Sequence, residues 1–154
     1  AGCEGHGIEI MEIPARLAKR QAHEFKARMR LYNVRTNKLE IIHGDFLENP
    51  EIHSVLRQAS VVLVNNYAFD SKLNQSLMQL FLDLEDGTQI ISLRPFVPLD
   101  FKLSTRNAGS PESILRVKCY PYWSDCVSWT NNGGEYYIHT VDRSQLQRFF
   151  EQLP

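Results

Sequence analysis

Four clusters of residues in this chain have the types and order needed to hold a nucleotide and an amine. Glu9 stands at the end of a short apolar piece, and a carboxylate at a strand end accepts hydrogen bonds from both ribose hydroxyls of a nucleotide. Asp45 and Phe46 follow a second apolar piece. Asp45 could accept from an adenine amino group while Phe46 stacks on the ring. Asn65, Asn66, Tyr67 and Phe69 follow a third. A side-chain amide there accepts a hydrogen bond from an amine, and aromatic walls pack on it or on a cation. Ser92 and Arg94 follow a fourth. The first three clusters also have a plainer reading. Glu9 suits an acid ahead of a helix. Asp45 suits a turn beside a core Phe46. The two asparagines suit turn formers that cap the next helix. Recurrence at successive strand ends favours one common reading, an adenosine-containing cofactor with an amine substrate.

Strand ends matter because open α/β sheets bind ligands beyond the carboxyl ends of their strands. Gly7 to Ile10 reads as the first strand, and Pro14 suits the first turn of a helix. Ala18, Ala22, Phe25, Met29 and Tyr32 predict one buried helical stripe. Arg16, Lys19, Arg20, Lys26 and Arg30 lie mostly off it, as a solvated face or a basic contact surface. Leu39 to His43 predicts a strand, and Asn49-Pro50 an N-cap and first-turn proline for a helix with Ile52, Val55 and Leu56. Ser60 to Val64 predicts a strand buried on both faces. Leu73, Leu77, Leu80, Phe81 and Leu84 predict a helix that ends at Asp86-Gly87, before a strand from Thr88 to Leu93. This alternation, three times over, predicts an α/β fold with a mainly parallel sheet. Prolines, asparagine and glycine from Pro95 to Pro111 mark a loop. Beyond it, Ile114 to Tyr120 predicts a strand, and Asn131-Asn132-Gly133-Gly134 a hairpin turn between Val127–Thr130 and Tyr136–Val141. A helix with Leu146, Phe149, Phe150 and Leu153 closes the chain.

Several function classes fall away. No nucleophile with a matching base and no phosphate-binding GxxxxGK[ST] loop occurs. Gly2, Gly5 and Gly7 precede a strand, whereas a phosphate- or cofactor-cradling loop follows one. The 154 residues suit one domain, and a net charge of −1 argues against a surface that grips nucleic acid without specificity. Cys3, Cys119 and Cys126 form no paired framework, which points to a reducing compartment. The five histidines do not cluster and no ligand spacing appears, so no metal is expected. No apolar run approaches the ~18 residues of a membrane span, so no membrane partner is expected.

The clusters sit inside longer strings: Gly7-Ile8-Glu9 with Ile13-Pro14-Ala15, Gly44-Asp45-Phe46-Leu47, and Val64-Asn65-Asn66-Tyr67-Ala68-Phe69. SLRPFVPL from Ser92, STRN from Ser104, VSWT from Val127 and YYIHT from Tyr136 complete them. Together they resemble the catalytic domain of the Dot family of histone methyltransferases, in a mix that looks fungal. That family lacks a SET domain and methylates a lysine on the globular surface of nucleosomal histone H3, at position seventy-nine. The resemblance covers nearly the whole chain. It implies a class I, Rossmann-like methyltransferase sheet with a C-terminal antiparallel hairpin, S-adenosyl-L-methionine as cofactor, and a nuclear, chromatin-regulating role. Glu9 would bind the ribose, Asp45 the adenine amine, and Phe46 the ring. Asn65 would contact the methionine end of the cofactor and face the lysine amine. Tyr67 and Phe69 would wall both pockets, although the family usually has Phe where Tyr67 stands. Trp129 and Tyr136 would line the lysine channel, with Tyr136 beside Asn65 and Tyr67 in the catalytic set. Arg106 would touch the acidic nucleosome face, and ubiquitinated histone is a further partner implied.

Three family features are not found in these residues: the acidic glycine-rich loop after the first sheet strand, the N-terminal helical module, and the basic segment that binds nucleosomal DNA. The absent strand would be central, between the strand ending at Glu9 and the one ending at Asn65. The expectation is therefore a C-terminal portion of a catalytic domain that folds poorly alone and transfers methyl groups feebly. Two other outcomes are a chromatin-binding pseudoenzyme and an amine methyltransferase for another protein or a nucleic-acid base.

Overall fold

A computed structural model describes residues 2–152, and Leu153 of the closing helix lies outside them. The chain forms two compact units, residues 1–55 and 56–154.

The first unit is a strand–helix–strand. β1 (Gly5–Glu9) pairs in parallel with β2 (Leu39–His43), from Gly5 opposite Leu39 to Glu9 opposite His43, and α1 (Glu12–Leu31) connects them. A helical crossover is what parallel neighbours require. α1 ends in a Schellman turn: Asn33 takes φ 55°, its N–H donates to Arg30, and the Val34 N–H donates to Met29 at 2.8 Å. The predicted stripe is shifted around the helix. Ala15 is buried and Ala18, Ala22, Lys26 and Met29 are half-buried, while Phe25 and Tyr32 are exposed. A two-stranded ribbon covers only a narrow strip of helix, so the small alanines take its centre and the rings stay at its margin. Lys26 turns inward and donates from Nζ to the Leu39 carbonyl at 2.9 Å. Asn49 caps α2 (Pro50–Arg57) as expected, its Oδ1 accepting from the Ile52 N–H at 3.0 Å.

The second unit is a four-stranded sheet in the order β3-β4-β6-β5. β3 (Val61–Val64) and β4 (Gln89–Ser92) are parallel, and β6 (Gly134–Val141) runs antiparallel to both β4 and β5 (Leu115–Tyr122). α3 (Ser71–Phe81) connects β3 to β4, and α4 (Ser144–Glu151) follows β6. Asp70 caps α3 by accepting from the Leu73 N–H at 2.7 Å, a role the asparagine pair does not take. Arg143 donates to the Leu82 and Leu84 carbonyls and pairs with Asp86, closing the end of α3. The core is Phe81, Leu84, Ile90, Phe96, Val97, Leu115 and Val141.

Three expectations are corrected. The mainly parallel sheet is two sheets, with two parallel and two antiparallel pairings among the described residues. Val127 to Thr130 is not a strand. β5 itself is the hairpin partner of β6, and Val127 and Thr130 share only an isolated bridge within the connecting loop. Eight paired residues on β5 outweigh what four could offer. β3 is an edge strand with one covered face, and Leu63 is 79% exposed on the other. Its continuous apolar pattern lacks the second layer among these residues that would bury both faces.

Candidate active site

In the first unit, the parallel register puts Glu9 and the residues after β2 at one end. The Gly44 N–H donates to the Glu9 carbonyl at 3.0 Å, which brings Asp45 and Phe46 beside the end of β1. Both carboxylates are half-buried and each is held by a local bond. Glu9 Oε1 accepts from the Met11 N–H at 2.8 Å, and Asp45 Oδ1 accepts from the Leu47 N–H at 2.8 Å. The plainer readings, a helix-entry acid and a turn aspartate, therefore hold. They do not compete with ligand binding. One oxygen fixes each rotamer, and a carboxylate keeps acceptor capacity on the other. That pair of acceptors fits an adenosine, which offers hydroxyl donors at the ribose and an amine at the base.

In the second unit, Val64, Ser92, Tyr137 and Cys119 form one row across the four strands. The next row outward begins with Asn65 and ends with Tyr136 paired to Tyr120. Strands about 4.8 Å apart place β6 roughly 10 Å from β3, with β4 between them. Asn65 and Tyr67 are exposed, and Phe69 is half-buried. The Arg94 guanidinium lies 4.9 Å over the Tyr67 ring, and the Tyr136 ring stacks on Tyr120 with centroids 5.5 Å apart. Trp129 sits in the β5–β6 loop and is exposed. Arg106 is exposed on a turn braced by Asn107, whose Oδ1 accepts from the Ser104 N–H at 2.7 Å. The structure thus gathers Asn65, Tyr67, Arg94 and Tyr136 at one sheet end, with the loop of Trp129 springing from it.

Three buried polar side chains hold the chain in place there: Asn66, Ser92 and His139. Asn66 Oδ1 accepts from the N–H groups of Leu93 and Arg94 at 3.1 and 2.9 Å, and its Nδ2 donates to the Arg94 carbonyl and to Asn74. Ser92 Oγ donates to the same carbonyl at 2.8 Å. His139 Nε2 accepts from the Phe96 N–H at 3.0 Å, so the proton is on Nδ1, facing the Ile90 carbonyl. Sequence reasoning treats the asparagines as a pair and assigns His139 no task. A lone histidine on an apolar, alternating strand is the signal for it.

Burial lowers the His139 pKa from 6.5 to about 4. The unfolded chain binds a proton below its pKa of 6.5 that the native state refuses until about pH 4. Stability is therefore complete above pH 6.5 and is lost progressively as pH falls to 4, by about 3 kcal/mol in all. Urea unfolding at pH 7.5 and 4.5 is expected to show this loss. His139→Gln is expected to be less stable at pH 7.5 and to lose much of the slope; an unchanged slope would exclude His139 as its source.

A surface hollow runs along α1, lined by Leu17, Arg20, Phe25 and Arg28, and holds none of the strand-end groups. No three His, Cys, Asp or Glu side chains converge as metal ligands among the described residues. No helix there is long and apolar enough to cross a membrane.

A family profile described as "Histone methylation protein DOT1" matches residues 1–141. Among curated relatives, a protein of Emericella nidulans is 47% identical over 152 residues, covering 99% of this chain and 30% of its own length. One of Yarrowia lipolytica is 42% identical over 151 residues, covering 98% and 31%. One of Mycosarcoma maydis is 48% identical over 151 residues, covering 97% and 19%. Each is named "Histone-lysine N-methyltransferase, H3 lysine-79 specific". The chain spans less than a third of the length of these relatives.

Proposed function

The chain belongs to the DOT1 family of histone methylation proteins, and on that footing we propose that it forms the cofactor-facing and lysine-facing part of a methyltransferase. The cofactor is S-adenosylmethionine, the acceptor is the lysine at position seventy-nine of histone H3 in the nucleosome, and the compartment is the nucleus. One observation carries the reading: Asn65, Tyr67 with its Arg94, and Tyr136 share one end of one sheet.

Glu9 and Asp45 hold the ribose and the adenine amine, and Phe46 covers the ring. The cofactor supplies a methyl group activated by an adjacent positive sulfur. Asn65 accepts from the lysine amine and sets its line of approach. Tyr67, Phe69, Trp129 and Tyr136 exclude water around it, and Arg106 contacts the acidic nucleosome face. The lysine must be neutral to attack. Apolar walls and the Arg94 charge both disfavour the ammonium form, so these residues need no strong base. Alignment of the reacting atoms does most of the work.

The class I sheet belongs to the same proposal. β1 and β3 each have one unpaired edge among the described residues, and Val61 and Leu63 are exposed beside one of them. A further parallel strand ending in a glycine-rich loop would satisfy the free edge of β3. The DxGxGxG loop that cradles the methionine part is not in the sequence.

The test is methyl transfer to recombinant nucleosomes by the natural protein that carries this sequence. Glu9→Ala is expected to raise the KM for S-adenosylmethionine at least tenfold, since an unpaired ribose contact to a charged group is worth about 1.5–3 kcal/mol. The KM for nucleosomes is expected to hold. No transfer to histone H3 by the unsubstituted protein, with transfer to another protein or a nucleic acid instead, would sink the acceptor assignment. An unchanged cofactor KM in Glu9→Ala would sink the cofactor assignment for that residue.

A further inference from the structure

We propose that the β5–β6 loop docks a second cationic side chain of the acceptor protein, distinct from the methylated amine, with Trp123 as its aromatic anchor and Asp125 as its carboxylate. This rests on the acceptor reading above and extends it. Between Lys118 and Arg143 the sequence holds no lysine or arginine, while Asp125 and Glu135 supply negative charge. The same stretch is rich in rings. Trp123 is 75% exposed and Trp129 is 59% exposed, unusual for the side chain with the most apolar surface to hide.

The loop holds these rings out on a braced frame. The Asp125 N–H donates to the Asn131 carbonyl at 3.2 Å, and the Cys126 N–H to the Trp123 carbonyl at 3.4 Å. The Asn132 N–H donates to Thr130 Oγ1 at 3.1 Å. A Cβ at Gly133 would come within 2.8 Å of the Tyr122 carbonyl oxygen, so only glycine lets the loop fold this tightly beside Trp123. Asp125 takes φ 62° at the tip, a conformation that aspartate and asparagine tolerate better than other side chains. Glu135, at the loop's return, accepts from the Tyr137 hydroxyl at 3.1 Å and is thereby oriented.

Position says what the loop would meet. It leaves β5 at Tyr122 and enters β6 at Gly134, the sheet end where Asn65 and Tyr136 stand. A protein presenting its lysine there brings its neighbouring residues against the loop. Indole faces and carboxylates without a single cation suit Lys or Arg by cation–π contact and charge. They repel the phosphates of nucleic acid.

The experiment is steady-state kinetics with nucleosomes on the natural protein carrying Trp123→Ala, and separately Asp125→Asn, which keeps the tip conformation and removes only charge. Trp123→Ala is expected to raise the nucleosome KM about five- to tenfold, with the S-adenosylmethionine KM, the kcat and the melting temperature unchanged. Asp125→Asn is expected to raise it two- to threefold and to weaken its salt dependence. An unchanged nucleosome KM in Trp123→Ala overturns the proposal, as does an equal rise in the KM for both substrates. If the unsubstituted protein methylates no histone, the acceptor reading falls first and this inference with it; if it is active and only the docking effect is missing, the acceptor reading stands.

Discussion

Asn65→Ala is expected to lower kcat for nucleosome methylation by about a hundredfold or more while the melting temperature stays within about a degree. The rate effect follows from role. In the proposed role, the Asn65 amide oxygen holds the amine on line, and removing one preorganised polar group from a reacting centre costs about 10²–10³ in rate. The stability effect follows from burial, because Asn65 is exposed and its side chain makes no hydrogen bond among the described residues. Asn65→Asp separates positioning from charge. It keeps an acceptor but adds a negative charge that favours the ammonium ion. The amine then loses its proton at higher pH, so the rising limb of the pH–rate profile is expected to move upward. Single-turnover methylation across pH 7 to 10 reads both effects. A loss of less than threefold in Asn65→Ala would remove the residue from the catalytic set.

The neighbouring residue is expected to fail in the opposite way. Asn66→Ala is expected to cost about 3–5 kcal/mol of stability, read by urea unfolding. Asn66 is fully buried and makes four hydrogen bonds: two accepted from Leu93 and Arg94, two donated to Arg94 and Asn74. Truncation leaves the Leu93 and Arg94 N–H groups without an acceptor, at about 1–3 kcal/mol each, and leaves the Arg94 carbonyl with Ser92 Oγ as its side-chain donor. Asn66→Asp is expected to be no rescue. One carboxylate oxygen could still accept from both N–H groups, but the other would face the Arg94 carbonyl and Asn74 Oδ1 with no proton to share. Activity falls as well, because the segment from Ser92 to Phe96 carries the Arg94 that stacks on Tyr67. If Asn66→Ala unfolds at the unsubstituted urea midpoint, the clamp contributes nothing measurable.

The sequence by itself determined the features whose causes are local. β2 over Leu39–His43 matches its expected bounds, and the Asn49 cap of α2 is in place, because a short run with Leu39, Ile41 and Ile42 and an N-cap are local signals. The amphipathic α3 was legible for the same reason, apart from its cap at Asp70. The strand-end clusters were legible as residue types: Glu9 with Asp45, and Asn65 with Tyr67, stand where strands end. The family was legible from strings such as VNNYAF and YYIHT, which lie within the residues that the family profile matches.

Tertiary structure decided which surfaces are seen. Two adjacent asparagines are alike in sequence, yet β3 turns Asn65 outward and Asn66 into a buried clamp, since neighbouring residues on an extended chain point to opposite sides. The partner of β6 is β5, because the longer pairing satisfies more backbone groups than the short run at Val127 to Thr130. α1 is rolled so that Ala15 is buried and Phe25 exposed, because the narrow β1–β2 ribbon sets the contact. His139 is neutral because desolvation, which no linear pattern records, outweighs its hydrogen bond to Ile90. Periodicity along a chain reports that a face is apolar. Only pairing and packing across the chain settle what covers it, and so which polar groups remain free to bind.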